Sequence, residues 1–273
     1  MYKDYFQFRE EPFNITPDPR FLYRTTQHTE ALNHMVYGIR RRKGFICLTG
    51  EVGTGKTTLC RALLRELGES CHTALILNPV VTETQLLRAV VDEFGIQTKR
   101  RDRLGYLGLL NDFLLRVNSR GQDAVVIIDE AQDMSVGGLE QVRLLSNLET
   151  ERQKLLQICL VGQPELRKKL AKPSLRQLAQ RITVRFHLTR MGRDDTEAYI
   201  HHRLAVAGGN GGKCTVRFDS GAVREVYRFS HGTPRLINAI GDKALLAGYV
   251  YGTAGIDRRL VKIAAAELKE AYQ

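Results

Sequence analysis

The residues of this 273-residue chain best able to do chemistry sit in one run, Gly50-Glu51-Val52-Gly53-Thr54-Gly55-Lys56-Thr57, which fits the spacing G-x-x-x-x-G-K-[ST]. Glycines so spaced let backbone N–H groups turn inward around phosphate oxygens, at a helix N-terminus whose dipole favours anions. Lys56 can reach β- and γ-phosphates, and the Thr57 hydroxyl can ligate Mg2+. Downstream, the apolar run Val125-Val126-Ile127-Ile128 ends in Asp129-Glu130, which puts two carboxylates at the carboxyl edge of a sheet. Asp129 would hold Mg2+ directly or through water, and Glu130 would orient and deprotonate an attacking water. A phosphate loop followed by such a pair predicts hydrolysis of a nucleoside triphosphate.

Three further groups suit the same chemistry. Gln163 ends the apolar run Ile158-Cys159-Leu160-Val161, where its amide either touches the γ-phosphate or attacking water, or caps the helix begun by Pro164. Arg176, Arg181 and Arg185 lie at or just before a fifth strand. An arginine acting on a neighbouring subunit must be rigidly held yet displayed, and Arg181 sits at the helix–strand junction itself. Arg176 falls earlier on the helix and Arg185 inside the strand pattern; any of the three also fits a solvated surface charge. Gly232-Thr233-Pro234-Arg235 opens another helix, with proline in its first turn. An arginine there opposes the helix dipole and calls for an anionic partner, of which a γ-phosphate is the natural one.

These groups need a scaffold of alternating strands and helices. Short apolar runs at 45–48, 74–77, 125–128 and 158–161, with a fifth candidate at 182–188, read as buried parallel strands. Thr82-Glu83-Thr84-Gln85 has capping-box spacing in front of an amphipathic helix. The expected fold class is α/β, with a parallel five-stranded sheet. After about Met191 the strand signals stop, and helical patterns at 194–207, 220–229, 234–249 and 256–271 make a small all-helical domain. Gly208-Gly209-Asn210-Gly211-Gly212 is a loop between the first two. At the other end, Phe6, Phe8, Phe13, Phe21 and Tyr23 alternate with Pro12, Pro17 and Pro19, so no long helix forms there. This reads as an extended segment, followed by a helix over 29–42. The domains are then 1–43, aromatic segment and first helix packed on the core; 44–190, the nucleotide-binding core; and 191–273, the helical domain.

Composition sets the outer limits. Apolar residues make up 43% and charged residues 26%, as in an ordinary globular protein, and no run nears the roughly 18 apolar residues of a membrane span. The acidic start, Asp4, Glu10 and Glu11, is not that of a secretory signal, so the expected compartment is cytoplasmic. Five cysteines (Cys47, Cys60, Cys71, Cys159, Cys214) without C-x-x-C spacing read as buried hydrophobes, not as a disulfide frame or zinc site. Forty-one basic against 30 acidic residues give +11, which invites a polyanion without choosing one.

The motifs in this order resemble AAA+ ATPases, and within them the ExeA type: general secretion pathway protein A and pilus-biogenesis ATPases like it. Carrying the resemblance are Phe13-Asn14-Ile15-Thr16-Pro17-Asp18-Pro19 with Phe21-Leu22-Tyr23, residues 50–58 including Thr58, and Ile128-Asp129-Glu130-Ala131-Gln132. Gly162-Gln163-Pro164-Glu165-Leu166 and Gly232-Thr233-Pro234-Arg235-Leu236-Ile237-Asn238 complete it. The resemblance implies ATP and Mg2+ held between the core and a helical lid. Lys56 and Thr57 then belong to Walker A, and Asp129 and Glu130 to Walker B. Gln163 looks like sensor 1, commonly asparagine in AAA+ proteins; Arg181 looks like the arginine finger and Arg235 like sensor 2. It further implies a homo-oligomer serving secretion or pilus-assembly proteins at the inner-membrane face. Members often continue into a membrane helix and a periplasmic domain, whereas this sequence stops after the lid. Transposition regulators of the TnsC/TniB type share the same body and assemble on DNA. Arg40-Arg41-Arg42-Lys43, Lys99-Arg100-Arg101-Asp102-Arg103 and Arg167-Lys168-Lys169 with Lys172 would line such a track, although few aromatics accompany them.

Overall fold

The computed structural model describes residues 1–16, 18–99, 101–208 and 216–271. Pro17, Arg100, Cys214 and all but the first residue of the glycine-rich stretch 208–212 lie outside the described residues. The helices are α1 (Tyr2–Tyr5), α2 (Thr26–Arg40), α3 (Lys56–Leu67), α4 (Glu83–Glu93), α5 (Arg103–Ser119), α6 (Val136–Leu145), α7 (Pro164–Leu170), α8 (Arg176–Arg181), α9 (Arg193–Gly208), α10 (Ser220–Ser230), α11 (Pro234–Val250) and α12 (Arg258–Ala271). The strands are β1 (Phe45–Gly50), β2 (Cys71–Ile76), β3 (Asp123–Ile128), β4 (Gln157–Gly162), β5 (Ile182–Leu188), β6 (Arg217–Phe218) and β7 (Gly255–Ile256).

The chain divides into two units, one of Gln27–Val52 and Leu59–Leu188, the other of Met1–Thr26, Gly53–Thr58 and Thr189–Gln273. The first is built on the five-stranded sheet predicted from the apolar runs, in the order β2-β3-β4-β1-β5 with every pairing parallel. The three inner strands, β1, β3 and β4, are buried almost throughout, as strands covered on both faces must be. The outer strands β2 and β5 tolerate Thr73, Arg185 and His187 because one long edge of each is unpaired. Thr82 and Gln85 form the expected capping box at the start of α4, with Gln85 N–H donating to Thr82 Oγ1 at 3.3 Å and Thr82 N–H to Gln85 Oε1 at 2.9 Å.

The segment Met1–Thr26 groups with the helical region in the second unit, and Gln27 to the end of α2 with the sheet unit. Phe6, Phe8, Phe13 and Phe21 are buried in one cluster with Ile200, Leu204, Ile237 and Ala244. The physical reason lies in α11. A Cβ on Gly241 would fall 2.9 Å from the Phe13 ring, so this glycine opens a groove for that ring. The segment is also less extended than its prolines suggest, since α1 and a short 3-10 turn at Pro19–Phe21 interrupt it. The first helix starts at Thr26 and stops at Arg40, before Arg42 and Gly44 turn the chain with φ of 51° and 80°.

The helical unit is not purely helical. Arg217–Phe218 and Gly255–Ile256 pair as a two-stranded parallel ribbon, too short for alternation to register in sequence, and α12 therefore begins at Arg258 rather than 256. Among the described residues no helix is long and apolar enough to cross a membrane.

One buried cation fastens the N-terminal segment. Arg203 is only 5% exposed and donates to the carbonyls of Pro12 and Asn14. Its guanidinium lies 4.4 Å from the centre of the Phe21 ring, and burial pulls its pKa below the ordinary arginine value. Carbonyl dipoles and the ring face offset the loss of water around the charge. Arg203→Met should cost roughly 1–3 kcal/mol for each carbonyl left without a donor. Urea unfolding and limited proteolysis check this: lower stability and faster cleavage within residues 1–26 are expected, and unchanged behaviour in both contradicts the clasp.

Candidate functional site

Parallel strands deliver their carboxyl ends to one edge. In the register Thr49 lies opposite Gly162 and Ile128 opposite Leu160, so the residues leaving β1, β3 and β4 emerge together. Those residues are Gly50, the Asp129-Glu130 pair and Gln163. The topology thus brings three separately legible motifs to one end of the sheet.

From Gly50 the chain enters the phosphate loop. Gly53 and Gly55 have φ of 76° and 94°, a region open to glycine and costly for other residues, and α3 begins at Lys56. Thr54 and Lys56 are 1% and 6% exposed, so the loop is wrapped tightly around its own polar groups. Within the helical unit the loop also meets α11. Arg235 N–H donates to the Gly53 carbonyl at 3.3 Å, and a Cβ on Gly53 would fall 2.7 Å from Arg235 Cβ and 3.1 Å from Thr233 Cγ2. This bond satisfies one of the first-turn N–H groups that a helix leaves unpaired. The Arg235 side chain is exposed, at the first turn where Pro234 was expected to place it.

Asp129 and Glu130 differ in environment. Asp129 is buried, its backbone N–H donates to the Ile76 carbonyl at 2.9 Å, and its Oδ1 accepts from Glu130 N–H at 2.9 Å. Glu130 is half-buried and left-handed, with φ of 50° and ψ of 37°. For a non-glycine residue that conformation costs about 1–3 kcal/mol. Its Oε2 accepts from Gln132 Nε2 at 2.7 Å and from Gln163 Nε2 at 3.1 Å. Bonds to a charged group contribute roughly 1.5–3 kcal/mol each, enough to offset the backbone strain. Gln163 is the N-cap residue of α7, its carbonyl accepting from Leu166 N–H at 2.9 Å, while its side chain makes no capping bond and donates to Glu130.

Two participants were not among the residues the sequence reading assigned to the site. Gln132 lies in the 3-10 turn after Glu130, two residues away, and its partners depend on the loop closing. Lys169 had been grouped with Arg167 and Lys168 as part of a basic track. Instead it donates to the carbonyls of Gln132 and Met134, the latter at 2.7 Å, and pins the turn. Arg42 likewise leaves the basic track, since it donates to Asp123 Oδ1 at 2.9 Å, Asn118 Oδ1 at 2.6 Å and the Gln122 carbonyl at 3.2 Å. Arg40, Arg41, Lys43, Lys99, Arg101, Arg103, Arg167, Lys168 and Lys172 are exposed.

Arg181 is held more firmly than a displayed residue needs to be. Its Nη1 donates to Ser146 Oγ and Asn147 Oδ1 at 2.7 Å each, and to the Arg143 carbonyl at 3.4 Å, at the C-terminal end of α6 where a cation is favoured. Arg185 donates to the Ala179 carbonyl at 2.6 Å, and Arg176 is exposed. Among the described cysteines, Cys47, Cys60 and Cys159 are buried and Cys71 is half-buried. Burial pushes the Cys47 thiol up to about 11, and burial with Asp123 nearby pushes Cys71 up to about 12, far from a reactive thiolate.

The Thr57 hydroxyl and the Asp129 carboxylate are each hard oxygen donors of the kind Mg2+ takes. No group of three or more His, Cys, Asp or Glu that could hold a metal ion occurs among the described residues.

A family profile described as an AAA domain matches residues 39–170. The chain is 46% identical over 270 residues to general secretion pathway protein A of Aeromonas hydrophila, an alignment covering 98% of this chain and 48% of that protein. It thus spans about half the length of the curated relative it matches. It is also similar to the Aeropyrum pernix ORC2 protein in ADPNP–ADP complexes, with TM-score 0.68, 18% identity, and coverage of 95% of this chain and 72% of the other. Drosophila ORC bound to DNA gives 0.70, 18%, 94% and 64%. A Thermotoga maritima RuvB variant gives 0.60, 18%, 91% and 70%. At such identities the structural likeness concerns the fold, the P-loop sheet followed by a helical region.

The glycine geometry gives a direct check. Gly53→Ala should lower nucleotide affinity at least tenfold, read by competition with a fluorescent nucleotide. Gly252→Ala, also at positive φ (65°) but with nothing within 4 Å of the added Cβ, should lose only about 1 kcal/mol of stability and bind as the wild type does. Equal affinity in the two variants would contradict the close approach at Gly53.

Proposed function

We propose that this chain, an AAA-type ATPase related along 98% of its length to general secretion pathway protein A, hydrolyses ATP by in-line attack of a water directed by Glu130. The observation that carries this reading is the Glu130 carboxylate, fixed at the carboxyl edge of the sheet by two amide donors. In the proposal Gly50, Glu51, Val52, Gly53, Thr54, Gly55 and Thr58 cradle the phosphates through the loop backbone, and Lys56 neutralises the β- and γ-oxygens. Thr57 and Asp129 hold Mg2+, which when bound neutralises charge on the transferring phosphoryl group. Glu130 Oε2 is engaged by the glutamines, so Oε1 is the oxygen assigned to the water. Gln163 acts as sensor 1 by tying Glu130 to the end of β4. Arg235, whose backbone already meets Gly53, acts as sensor 2 on the γ-phosphate.

We assign Arg181 the role of finger toward a neighbouring copy in a homo-oligomer. Its anchoring at the end of α6 supplies the rigidity such a residue needs; reaching a partner's phosphate would require exchanging those acceptors. The relative's name supports work in a secretion pathway; we extend the proposal to pilus-assembly systems and to peripheral association at the inner-membrane face. A DNA track of the transposition-regulator kind rests on the exposed basic residues, now without Arg42 and Lys169.

Three outcomes test these assignments. Glu130→Gln should keep ATP affinity within about threefold while phosphate release falls at least a hundredfold, the scale of general-base catalysis. Retained turnover would remove Glu130 from the base role. Arg181→Ala subunits mixed with Lys56→Ala subunits should recover part of the activity that neither has alone; no recovery in demonstrably mixed oligomers would refute the finger. Duplex DNA should change the ATPase rate less than twofold, and a strong, salt-sensitive stimulation would favour the DNA reading instead.

A further inference from the structure

The two glutamines around Glu130 are not equivalent. Gln163 touches the carboxylate with its side chain alone, whereas Gln132 connects every part of the arrangement. Gln132 Nε2 donates to Glu130 Oε2 at 2.7 Å and to Asp133 Oδ2 at 3.2 Å, and Gln132 Oε1 accepts the Gln163 backbone N–H at 3.0 Å. Its own carbonyl is held by Lys169 Nζ. The side chain is 8% exposed. Gly162 keeps the space open, because a Cβ there would fall 2.7 Å from Gln132 Oε1.

An amide has a donor end and an acceptor end, and here the surroundings allow only one orientation. The NH2 faces carboxylates and the oxygen faces an N–H, so a flipped amide would set oxygen against oxygen and N–H against N–H. A buried group with a single satisfied orientation is rigid, and so is whatever it holds.

We propose that Gln132 is a positioning residue for hydrolysis. It fixes the rotamer of Glu130 by engaging Oε2, and it locks the start of α7, with Gln163, into the same frame. Oε1 is thereby left aimed at the water. This rests on the reading of Glu130 as the base. Lys169 serves the same end one step further out, by holding the turn that carries Gln132.

The decisive substitution is Gln132→Glu in the full chain. It preserves volume and the acceptor toward Gln163 N–H, and changes only the end facing Glu130. With ATP as the probe, kcat should fall at least tenfold while the directly measured ATP dissociation constant stays within threefold of wild type. Gln132→Met, which carries no charge, should show the same split and serves if the glutamate variant does not fold. A residue that only stabilised the fold would lower Tm and active fraction without separating kcat from affinity. In a Glu130→Gln background, Gln132→Glu should change the residual turnover less than twofold, because the group it positions is gone. A kcat within twofold of wild type for both variants overturns the proposal, as does an equal loss of kcat and affinity, or a tenfold further loss in the Glu130→Gln background. If Glu130→Gln itself keeps full turnover, the reading of Glu130 fails first and the proposal falls with it; that result is separable from the others because it needs no change at Gln132.

Discussion

A carboxylate at the end of a strand buried on both faces is the constraint on which this molecule turns. Ala124 to Ile128 on β3 are at most 1% exposed, so the chain cannot turn polar until the strand leaves the sheet. It does so at once, with Asp129 and then Glu130. The adjacent end of β4 brings Gln163 to the same edge, and β1 beyond it brings Gly50. A charge in that place must be held by donors, and the fold supplies them from the turn that follows β3 and from the residue that ends β4. The left-handed backbone at Glu130 is what lets the side chain turn back toward those donors.

The phosphate loop obeys a related rule. Its glycines are needed because backbone N–H groups, not side chains, must converge on an anion. At Gly53 a second demand is added, since the first turn of α11 packs where a side chain would be and donates a hydrogen bond to the loop carbonyl. The loop is therefore built partly by the helical unit. The clasp of Arg203 on the N-terminal segment stabilises that same unit from its far side in sequence, with the Phe13 ring seated over Gly241.

Much of this was legible in the sequence, and the boundary of what was legible is physical. Inner strands announce themselves because burial on both faces leaves runs such as Val125-Val126-Ile127-Ile128. Outer strands and caps also carried local signals, as Thr82 and Gln85 show. Side-chain partners across the fold carry none. Arg42 and Lys169 looked like surface charge because nothing local reveals Asp123 or the carbonyls of Gln132 and Met134. The same holds for the aromatic segment, where the seat of Phe13 is opened by Gly241, more than two hundred residues away. Gln132 was visible as part of a motif, but its function depends on which way its amide is turned, and only the folded loop decides that.

The proposed activity is turnover of ATP with a divalent cation held by hard oxygen donors. Steady-state phosphate release from ATP by the purified chain, measured across a Mg2+ titration and then after addition of EDTA, addresses it most directly. Saturable turnover should appear with Mg2+, disappear with EDTA and be abolished by Lys56→Ala. Phosphate release no greater than that of the Lys56→Ala chain, at every protein and Mg2+ concentration at which nucleotide is bound, would contradict it and leave a nucleotide-gated scaffold.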